Sequence, residues 1–264
     1  MDATTLNLCF AAYLAALACY AAAHVSDRPR ARQAGHILLA AAWLLQTVFL
    51  AQRWRVSGHA PMSNQFESLV SMAWGITALA GCLWRLAPGR WLGPATAGLN
   101  LVLLALCALL DKSVAPLVPA LQSNWLLLHV SVIMLAYSAL ALSFLASAAY
   151  LLSHHRRPAE QTAALDLFNE RAMGLGYLLL TAGIILGAVW ANEAWGTYWS
   201  WDPKETWSLI TWLVYTGAIH LRRTHRWHGR AMAWFSAAGF AVVLFTYFGV
   251  NYLMSSLHSY AGSR

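Results

Sequence analysis

Six of the 14 tryptophans in this sequence lie between Trp190 and Trp212. The densest part is the segment 190–207, which also holds three of the ten acidic residues. An aromatic belt at the end of a membrane helix needs only one or two tryptophans. The surplus of flat aromatic surface therefore indicates a site for a large planar ligand. The alternative interpretation is a tryptophan-rich interfacial anchor that precedes a capped helix.

Histidine is the second residue type here that could carry chemistry. Of ten histidines, three remain as the main candidates once those in polar loops and at the inner membrane surface are set aside: His129, His220 and His258. A histidine in a membrane span is costly and usually has a partner or a function. His129 and His258 are predicted on the same side of the membrane as the tryptophan segment. His220 lies about 24 Å from that segment along a helix, counted from Lys204.

These residues can be combined into a haem site. Two imidazoles that face each other across a gap can bind haem iron from both sides. The porphyrin between them needs an aromatic slot, which Trp195, Trp199 and Trp201 could line. Its propionates need cations, and the candidates on the same predicted side are Arg53, Arg55 and Lys204. Taken singly, each histidine is explained equally well as a structural residue bonded to a neighbouring helix.

Other chemistries fit the sequence less well. The four cysteines lie in apolar runs and form no C-x-x-C pair, which argues against a disulfide framework, a thiol oxidoreductase and a structural zinc site. No nucleophile elbow typical of a serine hydrolase is present. The chain also lacks C-x-x-C-H, so it is not itself a c-type cytochrome. His154, His155, His225 and His228 lie in basic loops, where we interpret them as solvated.

The elements that must position this site are membrane helices. The chain is 59% hydrophobic and only 10% charged, whereas soluble domains carry about a quarter charged residues. At roughly 20 apolar residues per crossing, about eight spans fit. We predict an all-α, polytopic protein that forms one transmembrane domain over residues 1–264, with little room for a soluble domain. The predicted spans are 5–24, 36–54, 66–86, 92–110, 124–152, 172–191, 206–222 and 231–252.

The basic residues predict the orientation of these spans. Twelve of the 17 fall in the first, third, fifth and seventh connections. The positive-inside rule places those connections in the cytoplasm. Both termini and the loop between spans 6 and 7 then face outward. The net charge of +7 thus follows topology and does not indicate nucleic-acid binding. The N-terminus lacks the basic region of a cleavable signal, so the first apolar run is expected to be retained.

Local patterns predict how several helices begin. Asp202, Pro203 and Glu205 have the spacing of a capping box with proline at the first helical position. Asn64 and Glu67 have the same spacing. The residues between Trp195 and Asp202 should then form a loop or a short interfacial helix. The polar stretch 160–170 is predicted to be a separate, short amphipathic helix on the inner surface.

The run Trp195-Gly196-x-x-Trp199-x-Trp201-Asp202-x-x-Glu205 resembles the WWD signature of haem-handling proteins in cytochrome c biogenesis. Within that group the sequence resembles the CcsA (ResC) family, the System II cytochrome c synthase subunit. The resemblance covers most of the chain and extends to four further segments: Gly58-His59-x-Pro61-x-Ser63-Asn64-x-x-Glu67-Ser68, His129-Val130-Ser131, Trp212-x-x-Tyr215-x-x-x-x-His220-x-Arg222 and Gly249-Val250-Asn251-Tyr252-x-x-x-x-Leu257-His258-Ser259-Tyr260.

This resemblance implies specific roles. His129 and His258 would be the axial ligands of haem iron beside the WWD loop. Haem b, as a transit substrate, would contact Trp195, Gly196, Trp199, Trp201 and Asp202. His220 would bind haem within the membrane on its way out, with a second ligand supplied by a CcsB (ResB) partner. No CcsB-like domain is seen in this sequence, so a separate subunit is expected. The client would be an apocytochrome c with a C-x-x-C-H motif.

The resemblance further implies an integral protein of a bacterial inner membrane or a thylakoid, with its site on the periplasmic or lumenal face. Three other functions stay open at this point. The chain could carry haem without catalysing attachment. It could be a b-type cytochrome that passes electrons to quinone, with His24 or His36 as weak ligand candidates beside His220. It could also be a structural subunit whose tryptophan loop binds protein.

Overall fold

The computed structural model describes residues 2–87, 90–153, 155 and 158–254. Every long element in these ranges is helical, which confirms the all-α prediction for the described part of the chain. It contains eight helices of 15 residues or more and one short one. Their bounds are α1 Asp2–Ser26, α2 Pro29–Ser57, α3 Gln65–Cys82, α4 Leu92–Cys107, α5 Asn124–Ser153, α6 Ala159–Trp195, α7 Pro203–Thr224, α8 Arg230–Leu244 and α9 Val250–Leu253.

Five helical segments in the described ranges are long and apolar enough to cross a membrane. They are Thr4–Ser26, Pro29–Ser57, Asn124–Ser153, Ala159–Trp195 and Arg230–Leu253. Helix α4 is apolar but shorter, at 16 residues. The chain is thus a membrane protein, as its composition predicts. The number eight and the orientation of the spans stay predictions.

The prediction of a separate amphipathic helix over residues 160–170 is wrong. Helix α6 runs without a break from Ala159 to Trp195, over 37 residues. No proline or glycine interrupts it before Gly174, and two of its acids, Asp166 and Glu170, have a tertiary partner. The Arg222 guanidinium donates to both carboxylate oxygens of Asp166, at 3.0 and 2.9 Å, and to Glu170 at 2.7 Å. This ion-pair cluster satisfies polar groups that the sequence alone assigned to the membrane surface.

The third predicted span, 66–86, is shorter than expected. Helix α3 ends at Cys82 and is followed by a 3₁₀ turn at Trp84–Leu86. Its start agrees with the prediction, because the Asn64 side chain accepts a hydrogen bond from the Glu67 backbone N–H at 2.9 Å. The Glu67 carboxylate does not complete a capping box with Asn64. It accepts instead from the backbone N–H and hydroxyl of Ser63 and from Arg53.

The chain divides into two compact units, Met1–Leu117 and Val118–Arg264, which we call unit 1 and unit 2. The single domain predicted from the sequence stays a prediction. In unit 1, four helices each contribute one buried polar side chain to a shared hydrogen-bonded cluster: Tyr13, Gln46, Thr77 and Asn100. Polar bonds between helices are a common source of specificity in membranes.

Unit 2 holds the tryptophan segment and the described histidines His129 and His220. Helix α5 packs along α6, and α7 and α8 complete the unit. The chain leaves α8 through a π-helical turn at Phe245–Gly249 before α9 begins. Such turns occur frequently at functional sites. Helix α7 begins directly after the tryptophan loop. Arg222 lies in its last turn, at the opposite end of the helix.

Candidate functional site

We call one part of unit 2 the tryptophan end. It comprises residues 118–123, 190–202, the first turn of α7, and 250–254. Helix α6 ends here at Trp195, and Gly196 follows with φ +76°. In this left-handed conformation the Gly196 N–H donates to the Asn192 carbonyl oxygen at 2.9 Å and closes the helix. Gly196 is therefore the residue that turns the chain into the loop.

The far end of the loop is fixed by a capping box, as predicted. Asp202 Oδ1 accepts from the Lys204 N–H at 2.9 Å. Glu205 Oε2 accepts from the Asp202 N–H at 3.1 Å and from the Ser200 N–H at 2.8 Å. Both carboxylates are buried, at 6% and 8% exposure. These contacts assign Asp202 a role in shaping the loop.

Between these two ends the loop presents Trp199 and Trp201. Their rings meet edge to face, with centroids 5.9 Å apart and an interplanar angle of 89°. Trp201 has φ +59°, although it is bulky, and its side chain is 68% exposed. A bulky residue in this conformation is a genuine outlier, and such strain clusters at functional sites. Since Trp201 contributes little to a packed core, its conformation points to a role outside folding.

His129 lies in the second turn of α5 and faces α6. Its Nδ1 is 2.7 Å from the Gly183 carbonyl oxygen. A carbonyl can only accept, so Nδ1 carries the proton. In the neutral imidazole the lone pair is therefore on Nε2, the nitrogen that can bind a metal. A hydrogen bond that fixes the tautomer in this way is the usual second contact of a metal-binding histidine.

Trp190 connects His129 to the loop. Its indole ring is nearly parallel to the His129 imidazole, at 11° and a centroid distance of 6.2 Å. The same indole ring also contacts Trp195, at a centroid distance of 4.8 Å and an interplanar angle of 64°. Trp190 is buried at 1% exposure, and its N–H donates to the Ala120 carbonyl oxygen at 2.9 Å. His129 and Trp195, which are 66 residues apart in the sequence, are thus two ends of one aromatic series.

A cavity of about 490 Å³ opens beside this series. Glu193 stands at its edge, and its carboxylate accepts from the Ser123 hydroxyl at 2.8 Å. The cavity is lined by Val118, Pro119, Ala120, Gln122, Ser123, Trp190, Glu193 and Ala194. Trp190 therefore forms part of its wall, next to the tryptophan loop.

Residues 62–258 match the protein family described as Cytochrome C assembly protein. The cytochrome c biogenesis protein CcsA of Synechococcus sp. (strain RCC307) is 42% identical over 274 residues, which cover 90% of this chain and 88% of that protein. This chain belongs to the CcsA family. A second CcsA, from Guillardia theta, is 41% identical over 244 residues and 81% of each chain.

A solved structure shares the fold of this CcsA-family chain. The cytochrome c heme lyase CcmF superposes with a TM-score of 0.71 at 19% identity. The superposition covers 97% of this chain but only 47% of CcmF. This chain therefore corresponds to about half of the longer protein.

The structure brings some of the predicted site residues of this CcsA-family member together and separates another. His129 and Trp195 are joined through Trp190, and Trp199, Trp201 and Asp202 share the adjoining loop. His220 is exposed near the other end of α7, where its Nδ1 lies 3.4 Å from the Thr224 hydroxyl and its ring faces His225 at 5.9 Å. His258 lies outside the described residues, so its pairing with His129 stays a prediction.

Two of the three cations expected to bind the haem propionates, Arg53 and Lys204, have side-chain hydrogen-bond partners in the structure. The structure contradicts the expectation for Arg53, whose side chain is 4% exposed and donates to Glu67 at 2.8 Å and to the carbonyl oxygens of Lys112 and Ser113. Its charge is already compensated within unit 1. Lys204 lies at the tryptophan end, and its Nζ donates to Asn251 Oδ1 at 2.8 Å.

Sequence reasoning missed four residues that shape this site. Trp190 lies in the tryptophan segment but has no predicted role, and Gly183, Gly187 and Asn251 are not among the predicted site residues. A Cβ atom on Gly187 would lie 2.6 Å from His129 Cε1 and 2.7 Å from Nδ1. Gly187 therefore makes the space that the imidazole occupies. The four-residue spacing of Gly183 and Gly187 on one helix face was a usable signal.

Proposed function

We propose that this chain binds haem b as a transit substrate at the tryptophan end of unit 2 and presents it to an apocytochrome c for covalent attachment. The observation that carries the proposal is His129, whose tautomer directs its lone pair to Nε2 and whose ring adjoins Trp190 and Trp195. Membership of the CcsA family supports the same function. CcmF, which shares the fold, supports it as a heme lyase.

His129 Nε2 is the proposed first axial ligand of the haem iron, and His258 is the proposed second. The bond from Nδ1 to Gly183 holds the ring in one plane and raises the basicity of the ligating nitrogen. Trp195, Gly196, Trp199 and Trp201 are the proposed surface for the porphyrin face. Asp202 acts indirectly, because it is the cap that fixes the loop geometry.

The proposed reaction is thioether formation. Each thiol sulfur of the C-x-x-C-H motif bonds to one vinyl carbon, and the thiol hydrogen ends on the neighbouring vinyl carbon. The addition consumes no oxidant and no reductant. The protein's contribution is placement and exclusion of water, which can supply several kcal/mol of the barrier reduction. Before its thiols add, the motif histidine of the client displaces one of the two protein ligands.

His220 is the proposed ligand of a second, earlier haem position. It lies 16 residues after Lys204, which corresponds to about 24 Å along α7. We propose that a CcsB (ResB) subunit supplies the other ligand there. The proposed topology has eight spans, outward termini and an outward tryptophan loop. The location is a bacterial inner membrane or a thylakoid, with attachment on the periplasmic or lumenal side.

Co-expression with an apocytochrome c tests this function. The chain, a CcsB partner and a C-x-x-C-H client are expressed in a host without its own cytochrome c maturation system. We expect a purified complex with a low-spin haem spectrum and a client that keeps its haem after acid–acetone extraction. Haem binding without covalent product would favour the alternative of a haem carrier. A complex without any Soret band after haem loading would contradict the proposal.

Trp201 provides a test of the loop itself. In Trp201→Asn the strained backbone becomes acceptable, because asparagine tolerates a left-handed conformation. Relief of about 1–3 kcal/mol of strain should offset the lost contact with Trp199, worth about 1 kcal/mol. We expect an unchanged or slightly higher unfolding temperature together with severalfold weaker haem retention on a purified sample.

The matched control is Tyr198→Asn, which also removes an exposed aromatic ring, at 59% exposure, but at a residue without positive φ. This variant should keep its haem. If Trp201→Asn unfolds at a much lower temperature, the ring is structural and the functional assignment is wrong.

A further inference from the structure

Lys204 is the one lysine or arginine at the tryptophan end among the residues that the structure describes. It occupies the second position of α7, directly after the loop. The other described lysines and arginines of unit 2 lie toward the opposite end or outside this region: Arg171, Arg222, Arg223, Arg226 and Arg230. Among the described lysines and arginines of this unit, an anion bound beside the tryptophan loop therefore has a single candidate cation.

Lys204 differs from the buried cations elsewhere in the described chain. Arg53 has Glu67 at 2.8 Å, and Arg222 has Asp166 and Glu170 within 3.0 Å. Lys204 forms no such ion pair with a residue that the structure describes, and its side-chain partner there is the neutral amide oxygen of Asn251. The nearby Asp202 is already committed to the α7 cap. An ammonium that is partly withdrawn from water and has no hydrogen-bonded counter-ion among the described residues is unfavourable.

The protonation behaviour of Lys204, which precedes the predicted span 206–222, agrees with this picture. Burial lowers the pKa of its ammonium from 10.5 to about 8, and the charge of Asp202 only partly opposes the effect. Structural pairs normally stabilise the charged form of lysine. Perturbation by burial beside a site is typical of a group that completes its surroundings with a ligand.

We infer that Lys204 and Asn251 form a subsite for a carboxylate, and that this carboxylate is a propionate of the haem bound at the tryptophan loop. The ammonium has three N–H donors, of which one reaches Asn251, and the Asn251 amide nitrogen supplies two more donors. The subsite rests on the proposed function. The subsite further specifies how the haem substrate is oriented at the tryptophan loop.

Orientation follows because the propionates and the vinyl groups occupy different edges of the porphyrin. A propionate held at the start of α7 and at α9 turns the vinyl edge away from these helices. One turn further along α7, Trp207 packs on Phe245, the residue that follows α8, at a centroid distance of 4.2 Å. The anchor for the carboxylate is thus on a rigid element, which is what regioselective attachment requires.

The test compares haem with haem dimethyl ester, in which both propionates are neutral. Purified protein without haem, in detergent, is titrated with each compound. We expect the wild type to bind haem about tenfold more tightly than the ester, since one charge-assisted contact is worth about that ratio. Lys204→Met should bind haem about tenfold more weakly and the ester unchanged. Lys204→Arg should restore most of the preference.

Lys112→Met is the matched control, because it removes the same charge in unit 1, and it should retain the wild-type preference. Two results would overturn the subsite. In one, Lys204→Met weakens haem and ester equally, which would mean a loss of fold. In the other, the wild type binds both compounds equally well. A wild type that binds neither compound would instead refute the proposed function, and the subsite with it.

Discussion

His129→Gly is expected to remove the low-spin haem spectrum of the tryptophan-end site and to lower covalent cytochrome c formation by about a hundredfold or more. The substitution deletes the nitrogen that we assign to the iron. It also leaves a space between α5 and α6 of the shape of the lost ring. Added imidazole should therefore enter this space, bind the haem iron in place of His129 and restore the low-spin spectrum in purified protein.

Recovery with imidazole separates ligation from packing. A histidine that only fills space between the helices would leave a destabilised protein that imidazole does not restore spectroscopically. His228→Gly is a useful comparison, because this histidine lies near Asp166 at the opposite end of unit 2 and its side chain is 58% exposed. That variant should keep the wild-type spectrum. An unchanged spectrum in His129→Gly would remove His129 from the site.

Gly187→Ala is expected to lower haem binding at the same site by about tenfold, although it adds only one methyl group and replaces no proposed ligand. The new Cβ would stand 2.6 Å from His129 Cε1, which no side chain tolerates. The ring must therefore rotate away from α6, and its 2.7 Å bond to the Gly183 carbonyl oxygen is lost. The tautomer and the direction of the lone pair are then no longer fixed.

Gly174→Ala is the matched control on the same helix. A Cβ at Gly174 meets nothing within 4 Å, and alanine favours helix over glycine. We expect this variant to be at least as stable as the wild type and to bind haem normally. Haem titration and thermal unfolding of both variants give the comparison. Equal haem affinity in the two variants would show that the His129 position is not critical.

Much of the local structure of this site was accessible from residue types. Asp202, Pro203 and Glu205 predicted a helix start, and the capping box is present. Gly196 is an ordinary helix terminator. These features depend on backbone hydrogen bonds within a few residues, so the sequence contains all the interacting groups. The same holds for the apolar composition that predicted a helical membrane protein.

The extension of α6 shows where this reasoning stops. Residues 160–170 are polar, and on their own they are expected to lie at the membrane surface. Two of their three acids, Asp166 and Glu170, pair with Arg222, which is 56 residues beyond Asp166. A charge is neutralised by whatever the fold brings within 3 or 4 Å, and sequence distance does not limit that choice. Arg53 is a second example, because its guanidinium already donates to Glu67 and to two carbonyl oxygens. The sequence alone does not show that this cation is paired.

By itself the sequence determined the class of protein, the family, the loop with its tryptophans and the histidines worth following. The tertiary structure alone decided that His129 donates to Gly183, that Trp190 stands between it and Trp195, and that Lys204 meets Asn251. These contacts join side chains on different helices, and they depend on the rotation and spacing of each helix about its axis. Close packing between helices sets this rotation and spacing, for example where Gly187 leaves room for the His129 ring. No local pattern of residues specifies them.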